Sequence, residues 1–113
     1  MSDVVLINAK DGIKRVMNNQ KLYTKLLGKF KVDTNLSELE AAIAAGDMEK
    51  AKDSVHTLKG LAANLSLEKL SKHCLEVETQ IKAASFNIDQ LEATKNVYAQ
   101  TLVEIDKVLE EYA

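Results

Sequence analysis

The sequence predicts an all-α protein, an antiparallel four-helix bundle with a short additional helix at its N-terminus. The 113 residues include no proline, four glycines and few aromatic residues, a composition typical of long helices and not of sheets. Apolar residues also recur at intervals of three and four along most of the chain, which is the spacing of one helix face. A chain of this length is expected to form a single domain, residues 1–113.

The first two predicted helices are separated by two asparagines. Asn8 is placed to cap a short first helix, which Asn18 and Asn19 then end. From Gln20 to about Ala45 the apolar positions keep one helical phase, so we expect one long second helix. Cap-forming side chains at residues 33–35 offer the alternative of a break into two helices, but the unbroken phase favours continuity.

Three further helices are predicted, each with a boundary signal. Gly and Asp at 46–47 are a typical helix stop followed by a cap, so the third helix is expected from Met48 to Asn64. A break near residues 65–66 comes next. The fourth helix is expected from about Leu67 to the polar segment that starts at Ser85, and the last from Ile88 to Tyr112.

The third predicted helix has an exposed face whose residues suggest chemistry. Its apolar stripe, which fixes the side that packs in the core, consists of Met48, Ala51, Val55, Leu58, Ala62 and Leu65. At ~100° per residue, His56 points roughly 130° away from the centre of this stripe and should be exposed. Lys59 and Gly60, three and four residues further on, are its neighbours on the helix surface. The same exposed patch includes Lys52, Asp53 and Ala63.

This patch suits a carrier of phosphoryl groups. An imidazole is mostly neutral near neutral pH and nucleophilic, so His56 could accept a phosphoryl group without a separate base. The ammonium group of Lys59 would stabilise the negative charge of the transferred group. Gly60 inside a helix costs about 0.8–1 kcal/mol relative to alanine. Because an exposed position gives no packing reason for that loss, we infer that a partner's backbone needs the space.

The run Val-His-Thr-Leu-Lys-Gly-Leu-Ala at residues 55–62 resembles the signature of histidine-containing phosphotransfer (HPt) domains, in which an exposed histidine precedes Leu, Lys and Gly at these offsets. The resemblance covers nearly the whole chain. It includes Leu22, Tyr23, Leu26, Leu27 and Phe30 upstream, and Leu67, Leu70, Cys74, Val77 and Glu78 downstream. There are two departures from the family pattern: Ser66 stands where a glycine is common, and His73 stands where a buried leucine is usual.

The resemblance implies a phosphorelay protein. His56 would take a phosphoryl group on its distal ring nitrogen from an aspartyl phosphate of one response regulator receiver domain and pass it to an aspartate of another. Lys59 would stabilise the phosphoryl group. The partner, a receiver domain or a hybrid sensor histidine kinase, would dock on Lys52, Asp53, Gly60, Ala63 and Asn64, together with part of the second helix. We expect a carrier and not an enzyme, with no cofactor, metal or nucleotide site of its own, because the receiver brings the Mg²⁺.

The same residues allow other interpretations. The chain could be the phosphoacceptor module of a chemotaxis-type histidine kinase, or a non-catalytic helical adaptor bundle. A metal site of His56, His73 and Cys74 is not expected, because His56 faces outward and Cys74 faces the core. His73 and Cys74 are interpreted as packing residues. Paired carboxylates such as Glu76 and Glu78 are interpreted as solvated helix faces, since residues two apart do not converge on a helix.

Charge and hydropathy limit the partners and the location. The formal net charge is −2 and the acidic and basic residues alternate, so nucleic acid is not an expected partner. No apolar segment approaches the ~20 residues that a bilayer span needs, and the first ten residues lack the pattern of a signal peptide. A single cysteine cannot form an internal disulfide. We expect a soluble, cytoplasmic, free-standing monomer with no membrane partner.

Overall fold

A computed structural model describes residues 4–112, which form six α-helices and no β-strand. The helices are α1 (Ala9–Arg15), α2 (Gln20–Phe30), α3 (Asn35–Ala44), α4 (Met48–Asn64), α5 (Glu68–Lys82) and α6 (Ile88–Tyr112). Residues 1–3 and 113, which belong to the expected single domain, lie outside the described residues. Within the described range, no helix combines the length and the apolar character that crossing a membrane requires. The predicted all-α class is confirmed.

The boundaries with the strongest local signals lie where the sequence predicts them. The backbone N–H of Asp11 donates to the side-chain oxygen of Asn8 at 3.1 Å, which caps α1. Gly46 adopts a left-handed conformation with φ +72°, and Asp47 caps α4 by accepting a hydrogen bond from the backbone N–H of Lys50 at 3.1 Å. The predicted bounds of the helix that carries His56 are therefore confirmed.

The prediction of one continuous helix from Gln20 to about Ala45 is wrong. Residues 31–34 separate α2 from α3, at the alternative break point. The carboxylate of Asp33 accepts hydrogen bonds from the backbone N–H of Asn35 at 2.9 Å and from its side-chain amide. Such local bonds from a side chain offer the backbone an alternative to the helical ladder, and here they outweigh the continuous apolar phase.

The helices pack around one core, and α4 makes the most extensive contacts with its neighbours. Helix α4 contacts α3 on one side and α5 on the other, and α6 contacts α5 and α2. The bundle has four members: α2 and α3 together form the first, and α4, α5 and α6 form the others. Helix α1 is the short additional helix. The apolar stripe of α4 is buried except at Met48, whose position in the first turn leaves it 39% exposed. Burial of this stripe fixes which face of α4 points to solvent.

Helix α4 ends as predicted although Ser66 replaces the usual glycine. Ser66 adopts a left-handed conformation with φ +57°, and the N–H of Leu67 donates to the carbonyl of Ala62 at 2.8 Å. Its hydroxyl donates to the carboxylate of Asp11 at 2.6 Å, and its carbonyl accepts from the N–H of Asn8 at 3.0 Å. Contacts with α1 thus stabilise a conformation that costs a residue with a Cβ roughly 1–2 kcal/mol.

Helix α1 packs closely on the ring of Tyr23. A Cβ atom added to Gly12 would lie 2.6 Å from Cζ and 2.7 Å from the hydroxyl oxygen of that ring. The ring cannot retreat easily, because Tyr23 is fully buried and its hydroxyl donates to the carbonyl of Leu65 at 2.7 Å. The contact between α1 and α2 therefore requires glycine at position 12.

We expect Gly12→Ala to lower the free energy of unfolding by about 1–3 kcal/mol, because the added methyl group overpacks the contact with Tyr23. The matched control is Gly28→Ala in α2, where an added Cβ meets no atom within 4 Å. This control should raise the free energy of unfolding by about 0.5–1 kcal/mol through helix propensity. Urea unfolding followed by circular dichroism measures both, and equal effects of the two substitutions would contradict the packing argument.

Candidate functional site

The structure places the predicted site residues on one face of α4. The side chain of His56 is 67% exposed, in agreement with its predicted direction. Asp53, Gly60, Ala63 and Asn64 are also exposed, and Lys52 and Lys59 are half-buried. A Cβ added to Gly60 would meet no atom within 4 Å, so nothing inside the described chain explains a glycine there.

A buried carboxylate of α5 lies beside this face. The side chain of Glu78 is only 3% exposed. One of its oxygens, Oε2, lies 2.8 Å from Nδ1 of His56, and the other, Oε1, accepts a hydrogen bond from Nζ of Lys59 at 2.6 Å. Nζ of Lys82 lies 3.6 Å from Oε2. Glu78 therefore joins the imidazole and two ammonium groups into one cluster between α4 and α5.

The interpretation of Glu78 as part of a solvated face is wrong. Glu76 is exposed as expected, but Glu78 follows the buried Cys74 by four residues and so lies on the core side of α5. A carboxylate tolerates this position because Lys59 and His56 supply hydrogen bonds and positive charge. The spacing from Cys74 was a signal in the sequence, whereas the partners on α4 become visible only in the folded chain.

The charge of Glu78 determines which nitrogen of His56 carries the proton. Burial would raise the pKa of Glu78, but hydrogen bonds from Lys59 and His56, with the charges of Lys59 and Lys82, outweigh it and lower the pKa below the ordinary 4.5. The carboxylate is therefore ionised at neutral pH and can only accept hydrogen bonds. Nδ1 of His56 must then be the donor, and in the neutral ring Nε2 has the free lone pair.

The lysines predicted for the site differ in their surroundings. Lys59 is the less exposed of the two, 26% exposed, and its short bond to Glu78 holds it next to the imidazole. Lys52 instead pairs with Glu49 on its own helix, at 3.2 Å. Asp53 is exposed, and its backbone carbonyl accepts a hydrogen bond from the hydroxyl of Thr57 at 3.0 Å.

Two surface grooves flank the face of His56. One groove runs along Lys59 and Ala63, and its other walls come from α1 and α5. The second groove is largely apolar and lies beside Asn64. It is lined by Leu61 and Leu65 of the α4 region and by Leu26 and Phe30 of α2. The exposed patch therefore adjoins a surface of α2 at Asn64.

His73 and Cys74 occupy the positions of packing residues. Cys74 is fully buried, and burial raises the pKa of its thiol to about 12. His73 is half-buried, its Nδ1 lies 3.3 Å from the side-chain nitrogen of Gln90, and burial lowers its pKa. In residues 4–112 no three His, Cys, Asp or Glu side chains come close enough together to hold a metal ion.

We expect Glu78→Gln to lower the free energy of unfolding at pH 7 by about 1–3 kcal/mol, because Lys59 and His56 lose a charged acceptor. The folded pKa of Glu78 is lowered, so its contribution is complete above the ordinary 4.5 and is lost as the pH falls through the folded value. The difference between wild type and variant should therefore stay constant down to about pH 4.5 and shrink as the pH falls further.

The matched control is Glu76→Gln, a neighbouring but exposed position on α5. It should change the free energy of unfolding by less than about 0.5 kcal/mol at any pH. Urea unfolding at several pH values measures both variants. A difference for Glu78→Gln that stays constant from pH 7 to pH 3 would contradict the assignment of an ionised, stabilising carboxylate.

Comparison with families of known proteins gives one match for this chain. The family model described as the Hpt domain matches residues 29–111, from the last turn of α2 to the end of α6. No curated protein and no solved structure matches the chain. Domains of this family carry a phosphoryl group in phosphorelays and interact with response regulators or kinases. The match covers well over half of the chain, which therefore belongs to the Hpt domain family.

Proposed function

We propose that the protein shuttles a phosphoryl group between aspartates of response regulator receiver domains through Nε2 of His56. The observation that carries this proposal is the bond between Nδ1 of the exposed His56 and the buried, ionised Glu78. This bond fixes the ring and its tautomer, so the nucleophilic lone pair is on Nε2, the nitrogen further from the helix.

The proposed transfer needs no proton to leave the histidine. The lone pair of Nε2 attacks the phosphorus of an aspartyl phosphate, and an N–P bond forms while the P–O bond to the aspartate breaks. The aspartate leaves as a carboxylate with the bonding electrons. The proton stays on Nδ1, and the positive charge that the ring gains is stabilised by Glu78 at 2.8 Å. In the reverse step an aspartate of the second receiver attacks phosphorus, and the N–P electrons return to Nε2.

The chain contributes position and charge, and the receiver contributes the metal. We expect the receiver domain to bring Mg²⁺ and its own acidic pocket, so the carrier needs no cofactor. Lys59 holds Glu78 and adds positive charge close to the phosphoryl group. The absence of a side chain at Gly60 lets the receiver approach the histidine to near contact. The proposed docking residues are Lys52, Asp53, Gly60, Ala63 and Asn64.

Phosphotransfer from phosphorylated receiver domains to wild type, His56→Gln and His73→Gln tests the proposal. We expect an acid-labile, alkali-stable label on wild type and on His73→Gln and none on His56→Gln, since these are the chain's two histidines. ATP alone should leave the protein unlabelled. A label that persists in His56→Gln would refute the proposed acceptor. If a kinase domain with ATP labels the protein but no receiver domain does, the protein is instead the phosphoacceptor module of a kinase. If His56→Gln has no effect on signalling, the interpretation as a non-catalytic adaptor bundle is favoured.

We expect Gly60→Arg to reduce the transfer rate by about tenfold to a hundredfold, because the new side chain keeps the receiver away from His56. The free energy of unfolding should stay the same or rise by up to about 1 kcal/mol, since arginine is a better helix former than glycine. The control is Ala99→Arg, an equally bulky change at an exposed position of α6. It should leave transfer unchanged. Normal transfer by folded Gly60→Arg would refute the steric role of this glycine.

A further inference from the structure

The two lysines beside Glu78 differ in their distance from its carboxylate and in their exposure. Nζ of Lys59 lies 2.6 Å from Oε1, and its side chain is 26% exposed. Nζ of Lys82 lies 3.6 Å from Oε2, beyond an ordinary hydrogen bond, and its side chain is 61% exposed. Lys59 is therefore a fixed partner of the carboxylate, and Lys82 is a loosely held, solvated one.

Lys82 is also a close neighbour of the imidazole. It follows Glu78 by four residues on α5, which places both side chains on the same face of that helix. The oxygen that Lys82 approaches, Oε2, is the oxygen that binds Nδ1 of His56. The ammonium group and the ring are thus separated by one shared oxygen atom, and the flexible four-carbon stem of lysine lets the ammonium move around it.

A phosphoryl group on His56 would compete with Glu78 for one of these lysines. It carries about 1.5 to 2 negative charges near neutral pH, more than the carboxylate does. Release of Lys59 would break a short bond and remove the main positive charge beside a buried carboxylate, which is costly. Release of Lys82 would leave Glu78 still bound by Lys59 and His56. The loosely held lysine is therefore the one that can move.

We infer that Lys82 is a further phosphoryl-stabilising residue, which moves from Glu78 to the phosphoryl oxygens when His56 is phosphorylated. The inference rests on the proposed function for its biological meaning. The two lysines then have different roles. Lys59 positions Glu78 and, through Glu78, the imidazole ring. Lys82 supplies a mobile positive charge that binds the phosphoryl oxygens.

The test phosphorylates the histidine chemically, so that no receiver is needed. Phosphoramidate, a small phosphoryl donor, is applied to His73→Gln protein, in which His56 is the one remaining histidine. The lifetime of phospho-His56 is then followed by ³¹P NMR in this background and with Lys82→Gln, Lys82→Arg or Lys107→Gln added. Lys107 of α6 is the charge-matched control, because it is 69% exposed and pairs with Glu104. Imidazole ¹⁵N shifts report whether the bond to Glu78 persists.

We expect Lys82→Gln to shorten the lifetime by about threefold to tenfold, with the ¹⁵N shifts of the unphosphorylated ring unchanged. Lys82→Arg should keep the lifetime of the background protein, and so should Lys107→Gln. About 1 M salt should shrink the effect of Lys82→Gln, because the ammonium is exposed. An unchanged lifetime in Lys82→Gln, or an equal loss in Lys107→Gln, would overturn the role of Lys82. Either result leaves the proposed function standing, which depends on transfer from receiver domains to His56.

Discussion

A carboxylate removed from water is stable only if other groups replace its hydration, and Glu78 meets this condition through α4. Its side chain is 3% exposed, and Lys59 and His56 each bind one of its oxygens. The packing of α5 on α4 and the state of the histidine therefore depend on each other. If the two helices separated, the carboxylate would lose its partners, and the imidazole would lose the acceptor that fixes its tautomer.

Hydrogen bonds at its C-terminal end also hold α4 in position. Leu65 accepts a buried hydrogen bond from the hydroxyl of Tyr23, and Ser66 in its left-handed conformation binds the carboxylate of Asp11. Between this end and Glu78, Gly60 is exposed with open space around it. The helix is thus restrained on both sides of an unobstructed surface next to His56. A rigid site of this kind presents its nucleophile without the entropic cost of ordering it for each transfer.

The sequence predicted the features whose signals are local. The Gly-Asp pair at 46–47 marked the start of α4, and the helical period placed His56 in solvent. Around residues 33–35 two local signals conflict, the continuous apolar phase and the cap-forming side chains, and the hydrogen bonds that Asp33 accepts from Asn35 end the helical ladder. For Glu78 the charged residue type predicted a solvated face, although a spacing of four residues from Cys74 is equally compatible with the core. Its partners come from another helix, so only the tertiary structure could decide between these readings.

The family match begins at residue 29, in the last turn of α2. Helix α1 lies before the matched range, yet it packs on α2. Ser66, at a position where the sequence resemblance leads one to expect glycine, donates its hydroxyl to Asp11 of α1 at 2.6 Å. This hydrogen bond to a charged acceptor helps to offset the left-handed strain at Ser66, which is roughly 1–2 kcal/mol for a residue with a Cβ. Helix α1 therefore stabilises the left-handed conformation of Ser66. Since Asp11 and Arg15 also form the outer wall of the groove beside Lys59, α1 shapes the surface next to this lysine.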